Sequence, residues 1–425
     1  MTADDMKTFD EHESNVRSYC RSFPVVLSRA QGSFLFDRDG QRYIDFFAGA
    51  GVVNYGHNRP ELADRLVAYI QEGGIAHGLD MATEAKEHFL LALQELLHAR
   101  ELQYKVMFPG PTGTNAVESA LKLARNVTGR TNVIAFTNAF HGMTLGSLAL
   151  TGNAQKRAGA QVPLQHTTRA PFDHYHGEDV DTLELLERQL QDNSSGMDAP
   201  AAVIVETVQG EGGVHVASAA WLRGLQALAR KHGALFIVDD IQVGCGRTGD
   251  FFSFEEAGLK PDIVCLSKAL SGFGLPLSVV LMKPELDIWK PGEHNGTFRG
   301  NNHAFVTGAA ALELFWSDDA LSREVRAKGE VVRSALTTMA ERVGGSVRGR
   351  GLIWGLDMGS GEVAGHVTRT AFQHKLVIET SGPDDEVVKV LPPLTIDRNV
   401  LQEGLDTLAR AVDAVVAPRR LKQAS

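Results

Sequence analysis

Between about residue 60 and residue 300 of this 425-residue chain, short apolar runs alternate with longer stretches of helical periodicity. The runs "KVMF" 105–108, "NVIAF" 132–136, "AAVIVE" 201–206, "ALFIVDD" 234–240, "IVCLS" 263–267 and "LSVVLM" 277–282 predict strands, being short and rich in β-branched residues. "TNAVESALKLARNV" 114–127 and "AAWLRGLQALARKHG" 219–233 predict helices between them. In the first, Val117, Ala120, Leu121 and Ala124 share one face, and Glu118 and Lys122 form an i,i+4 pair on another. Strands separated by helices predict a mostly parallel sheet covered on both faces.

The pattern differs at both ends. In "SFLFDRDGQRYIDFFAGAG", Asp39-Gly40 lies between aromatic, alternating runs, which predicts a β-hairpin. After residue 300, helical stretches dominate ("FVTGAAALELFW", "REVRAKGEVVRSALTTMAERV"), followed by a strand at "GLIWGLDM" 351–358 and a last helix from about residue 398. The expected fold class is α/β, with a large domain over 56–305, a smaller α+β domain over 306–425, and a segment 1–55 packing with the smaller one.

Composition narrows the class of protein. Apolar residues make up 43% and charged ones 22%, as in soluble globular chains, so a core of useful size is available. A formal net charge of −10 with no basic block argues against a nucleic-acid partner. No run approaches ~18 apolar residues, so no membrane span is expected. The acidic start "MTADDMKTFDEHESNV" does not read as a secretory signal. Three cysteines, Cys20, Cys245 and Cys265, without CxxC spacing, suit free thiols in a cytoplasmic, reducing setting. "DHYHGED" 173–179 holds two histidines but no third spaced ligand, so no metal is expected.

Three features promise chemistry. Lys268 stands inside the apolar stretch "PDIVCLSKALSGFGLPLSVVLM", and burying an ammonium there costs several kcal/mol unless it is paired or deprotonated. A lysine whose pKa is lowered this way serves as an amine nucleophile that forms Schiff bases; the plain alternative is a side chain snorkelling to the surface. In "PGPTGTNAVESALKLAR" 109–125, a turn runs into a helix whose first N–H groups, at Gly113 and Thr114, suit a phosphate; a capped helix without ligand is the plain alternative. Asp239 and Asp240 end a strand, placed either to keep a bound cationic ring protonated or simply to cap a helix or pair a base. Taken together and in this order, a phosphate cradle, an acid for a ring nitrogen and a Schiff-base lysine are the anchors of pyridoxal 5'-phosphate.

Along nearly its whole length the chain resembles the class III (ω-)aminotransferases, fold-type I pyridoxal phosphate enzymes. The likeness is carried in order by "GSFLFDRDGQRYIDFFAG", "TGTNAVESALKLAR", "AFHGMTLGSLALTG", "VIVETVQGEGG", the stretch from "IVDDIQVGCGRTG" to "SKALSGFGLPLSVV", and "GTFRGNNHA". It implies that Lys268 tethers the cofactor, Asp239 pairs with its ring nitrogen and Gln242 reaches its phenolic oxygen. It further implies that Phe140 stacks on the ring with His141 beside it, and that Gly113 and Thr114 bind the phosphate. Thr297 would reach across from a second subunit, implying a homodimer or dimer of dimers with shared sites.

Within that class, "HNRPELADRLVAYIQEGGIAHGLDMATEAKEHFL", "NGTFRGNNHAFVTGAAALELFW" and "KVLPPLTI" are similar to members that move an amino group from L-glutamate to L-aspartate 4-semialdehyde, the first step of ectoine biosynthesis. Transamination of 4-aminobutyrate or ornithine is the alternative, and a related aminomutase, needing no external oxo acid, is a further one. A nicotinamide dehydrogenase fits poorly, since no GxGxxG opens the first helix. Three positions depart from the family pattern: Asp240 stands where many members have glutamate, Lys389 where many have arginine, and Arg299 where glycine is common. Arg299 or Lys389 is therefore expected to take the substrate carboxylate, with Glu211 neutralising the cation when the substrate end is uncharged. The competing expectation for Arg299 is an ion pair across the subunit interface.

Overall fold

The computed structural model describes residues 6–423. Seven strands form its largest sheet, in the order Lys105–Met107, Val279–Met282, Ile263–Leu266, Leu235–Asp239, Ala202–Val205, Val133–Phe136, Thr167–Ala170. Val279–Met282 runs antiparallel to both of its neighbours, while the recorded pairings among the other strands are parallel. Alternation along each strand sends side chains to opposite faces. Ile204, Ile237 and Ile263 join Val117, Ala120, Leu121 and Ala124 of the helix Gly113–Thr128 on one face. Val203, Val205, Phe236 and Val238 join Leu222 and Leu225 of the helix Ala219–Lys231 in the other cluster. With both faces covered, the central strands are apolar up to their carboxyl ends, which is why they read as unbroken runs.

Two smaller sheets stand beside it. Leu27–Gln31, Phe34–Asp37 and Arg42–Asp45 form an antiparallel meander, and Leu376–Val377 adds to it in parallel, Leu376 opposite Ile44. The hairpin turn sits at Asp39-Gly40, where Gly40 takes φ 80° and its N–H donates to Asp37 O at 3.0 Å. The other sheet is antiparallel, in the order Ser346–Arg350, Ile353–Asp357, Val387–Val390, Glu379–Ser381. The chain closes with the helix Arg398–Gln423.

Arg247 ties this region to the large sheet. Fully buried, it donates to the carbonyls of Leu352 and Pro392 and to Asn54 Oδ1. Burial pushes its guanidinium down to about 9. Among the described residues, no helix is long and apolar enough to cross a membrane.

Candidate active site

Ligands in open α/β sheets gather beyond the carboxyl ends of the strands, and a cavity opens there. Lys268 follows the strand Ile263–Leu266 and opens the short 3-10 helix Lys268–Ser271 in a left-handed backbone conformation, φ 49°. Such strain in a non-glycine residue persists only where its surroundings hold it. Lys268 Nζ donates to the carbonyl of Ala50 at 2.9 Å. Burial lowers its pKa, with Lys389 adding to the fall and Glu211 opposing it, so the amine gives up its proton more readily than a solvated lysine does.

The Ala50 carbonyl belongs to a tight loop in which Ala48, Gly49 and Ala50 all take positive φ. Asp45 braces it: Oδ1 accepts from the N–H groups of Phe47 and Ala48, both at 2.8 Å, and Oδ2 lies 2.7 Å from His57 Nε2.

The two acids ending Leu235–Asp239 part company, as strand alternation requires. Asp239 faces the cavity, with Oδ2 2.7 Å from His141 Nδ1. Burial alone would lower the His141 pKa, but hydrogen bonding and charge from Asp239 outweigh it and favour the imidazolium. Asp240 turns the other way, and its Oδ2 accepts from Ser253 N–H at 3.0 Å. Burial pushes that carboxyl up to about 7.

Gly113, Thr114, Phe140 and Gln242 line the same cavity. A Cβ on Gly113 would lie 2.9 Å from Ile241, so only bare backbone fits at this helix start. Thr114 Oγ1 is 2.9 Å from Ser147 Oγ. Gln242 Nε2 donates to Ala50 O at 3.1 Å and to Glu211 Oε1 at 2.9 Å. Glu211 also meets Lys389, with Nζ 2.8 Å from Oε1. Lys389 is fully buried, and the attraction of Glu211 and Glu379 outweighs burial and raises its pKa.

Thr297 and Arg299 lie outside this cavity. Thr297 O accepts from His77 Nε2 at 2.8 Å in an exposed loop, and Arg299 donates to Asn295 Oδ1 at 3.2 Å. Three groups near the site were not singled out in the sequence. Glu206 lines the cavity and accepts from Phe140 N–H at 2.8 Å; burial pushes it up to about 8. Glu379 lies 2.9 Å from Lys389 Nζ. Tyr19 packs on Phe47, ring centres 4.9 Å apart, within electrostatic reach of Glu379, Glu211 and Lys389. Glu206 and Glu379 had a signal, each being an acid at or within an apolar run; Tyr19 had none.

The chain belongs to the class III aminotransferases: the family described as Aminotransferase class-III matches residues 16–412. Its relatives include the diaminobutyrate–2-oxoglutarate transaminase of Streptomyces avermitilis, 59% identical over 417 residues, covering 97% of this chain and 99% of that protein. The protein of the same name from Halalkalibacterium halodurans is 52% identical over 425 residues, covering 99% of each. Among solved structures, the ornithine aminotransferase of Toxoplasma gondii matches with TM-score 0.85 at 25% identity, over 98% of this chain and 95% of that one. The S-selective transaminase of an Arthrobacter species shares the fold, with TM-score 0.87 at 23% identity over 98% and 99% of the two chains.

The fold is thus fold-type I, and the cofactor is pyridoxal 5'-phosphate. The cavity fits that group. His141 Nε2 and Gln242 Oε1 are buried there without a protein partner, and the bare helix start at Gly113 leaves N–H groups that lack intrahelical acceptors.

Proposed function

We propose that this aminotransferase moves an amino group from L-glutamate to L-aspartate 4-semialdehyde, giving 2-oxoglutarate and L-2,4-diaminobutyrate, the step that opens ectoine biosynthesis. The observation that carries the reading is a buried lysine, Lys268, sharing one cavity with Glu211, the partner of Lys389, in a chain 52–60% identical over 96–99% of its length to diaminobutyrate–2-oxoglutarate transaminases. Glutamate brings a carboxylate beside its reacting carbon, whereas the semialdehyde reacts at the end remote from its own. A cation whose carboxylate partner sits on a turn serves both substrates.

Pyridoxal phosphate supplies the electron sink that makes the carbon bearing the amine acidic. In our reading, Lys268 holds it covalently, Asp239 faces its ring nitrogen, Gln242 its phenolic oxygen and Phe140 its ring face, with His141 alongside. Gly113 and Thr114 take the phosphate. Lys268 Nζ, whose pKa burial lowers, accepts the proton from the substrate carbon and returns it to the carbon on the other side of the reacting nitrogen. Lys389 holds the substrate carboxylate.

The test is a comparison of amino donors with 2-oxoglutarate as acceptor. 2,4-Diaminobutyrate is expected to exceed ornithine and 4-aminobutyrate in kcat/KM by at least about tenfold, the effect of ~1.4 kcal/mol. A preference for either rival would transfer the assignment to it, and turnover without any oxo acid would favour an aminomutase.

The active form is proposed to be a cytoplasmic homodimer at least, with Thr297 serving the partner's site and Arg299 at the interface. Ile75, Leu79, Met81 and Phe298, each between 47% and 67% exposed, lie along the two segments that meet at the His77–Thr297 contact and suit burial against a second copy. Lys268→Ala and Thr297→Asp variants are each expected to be nearly inactive. Co-expressed, they should regain about a quarter of wild-type activity, the share of intact sites when two subunits pair at random. No recovery would assign Thr297 to its own chain.

A further inference from the structure

Beside the cavity that holds Lys268 lies a second chamber, and Phe140 and Glu211 line both. Residues 138–140, 152–156 and 380–385 form most of its walls. Asn153 joins two of these segments: its Oδ1 accepts from Lys156 N–H at 3.0 Å, and its Nδ2 donates to the carbonyl of Pro383 at 3.2 Å. Among the described residues lining the chamber, Lys156 is the one cation. Its Nζ lies over the Phe140 ring, 4.6 Å from the centre, and meets no acid among the described residues. A ring face attracts an ammonium only modestly where water has access, so a carboxylate entering the chamber competes well for its three donors. Of the acids lining the chamber, Glu211 is already met by Lys389 and Gln242. Asp384 and Asp385 are exposed, where salt and water screen them.

Resting on the function proposed above, we propose that Lys156 binds the substrate carboxylate remote from the reacting carbon and so sets which donors the site accepts. The two substrates share one dimension. In glutamate the remote carboxylate carbon stands three bonds from the carbon that bears the amine. In 2,4-diaminobutyrate, counted from the carbon bearing the transferred amine, the carboxylate carbon also stands three bonds away. A cation held beside Phe140, whose N–H is pinned by Glu206 at 2.8 Å, serves both half-reactions from one place. Ornithine carries its carboxylate one bond further out. Alanine and 1,3-diaminopropane resemble glutamate and diaminobutyrate at the reacting end but lack the remote carboxylate. Lys389 keeps a separate task, the carboxylate beside the reacting carbon of glutamate, and stays with Glu211 when the semialdehyde occupies the site.

The experiment follows single turnovers of the holoenzyme by cofactor absorbance, which also reads donors too slow for steady turnover. Glutamate, alanine, 2,4-diaminobutyrate and 1,3-diaminopropane are compared in the wild type, Lys156→Met and Lys156→Arg, with thermal unfolding of each. Lys156→Met keeps an apolar stem over Phe140 and removes the charge. It should cut the second-order rate constants for glutamate and diaminobutyrate by at least about tenfold, the scale of one hydrogen bond to a charged group, mainly through weaker binding. Alanine and 1,3-diaminopropane should keep theirs. Lys156→Arg, which carries the charge at a similar reach, should recover most of the loss. Equal losses on all four donors would make Lys156 a mere support of the Phe140 ring and overturn the proposal. Unchanged constants for glutamate and diaminobutyrate would overturn it as well. A wild type that takes glutamate but not diaminobutyrate would sink the functional reading instead, and the glutamate-to-alanine ratio would still decide for or against Lys156.

Discussion

Lys268→Ala is expected to slow amino transfer by at least ~10²–10⁴-fold, the contribution of a positioned acid–base group, while the protein stays folded. The amine it removes is the one whose pKa burial lowers, and its hydrogen bond in the structure goes to a main-chain carbonyl, Ala50 O. Losing that bond leaves the loop with Gln242 Nε2 still donating to the same oxygen at 3.1 Å. Alanine at φ 49° is strained as lysine is, so the backbone gains no relief that could mask the result. The wild-type rate should fall on the acid side as the amine takes up a proton and can accept no other; the variant should lose that limb. Single-turnover transfer from glutamate, with thermal unfolding as control, checks both. A variant within tenfold of wild type would remove Lys268 from the proton transfer.

The parts of this site legible in the sequence are those whose polarity clashes with its surroundings. Lys268 among apolar neighbours, Asp239 at the end of "ALFIVDD" and the Gly-Thr turn before an amphipathic helix each break a local pattern, and the structure gathers all three around one cavity. The central strands of the large sheet were visible for the opposite reason: covered on both faces, they are apolar along nearly their whole length. Thr167–Ala170 escaped because it is an edge strand, "TTRA", without an apolar run. Ser346–Arg350 escaped likewise: also at a sheet edge, "SVRGR" shows no alternation.

What one sequence cannot display is convergence from distant segments. The loop that holds Lys268 comes from residues 48–51, braced by Asp45 and His57, over two hundred positions away. Glu211, Glu379 and Lys389 meet only because two neighbouring strands fix one pair and a turn brings in the third. Asp239 and Asp240 are adjacent and chemically alike, yet one faces His141 and the other Ser253; strand alternation separates them, and the letters alone do not say which is which.

Lys389→Ala is expected to cost ~3–5 kcal/mol of stability, the penalty for leaving buried charge without its partner. Lys389 is fully buried and Glu379 nearly so, at 7% exposure, so water cannot replace the lost ammonium. Glu211 is held well below the usual carboxylate range by Lys389 and Lys268 against the pull of burial, and loses most of that support in the variant. Glu379, already pushed up to about 7, loses its opposing charge and rises further. A group whose folded pKa lies above its unfolded value binds extra protons when folded, so its stabilising effect holds at low pH and is lost as pH rises through the folded pKa. The stability deficit of Lys389→Ala should therefore shrink on acidification below about pH 7, as both carboxyls protonate, and widen above it; urea unfolding across that range measures this. Lys389→Met, which fills the space without charge, should share the pH trend with a smaller cavity penalty. Lys389→Arg keeps the charge and should remain pH-flat. For catalysis, the KM for glutamate should rise at least about tenfold in the alanine and methionine variants, the scale of a lost charged hydrogen bond. If Lys389→Ala and Arg299→Ala both kept the parental KM, neither cation would hold the substrate carboxylate.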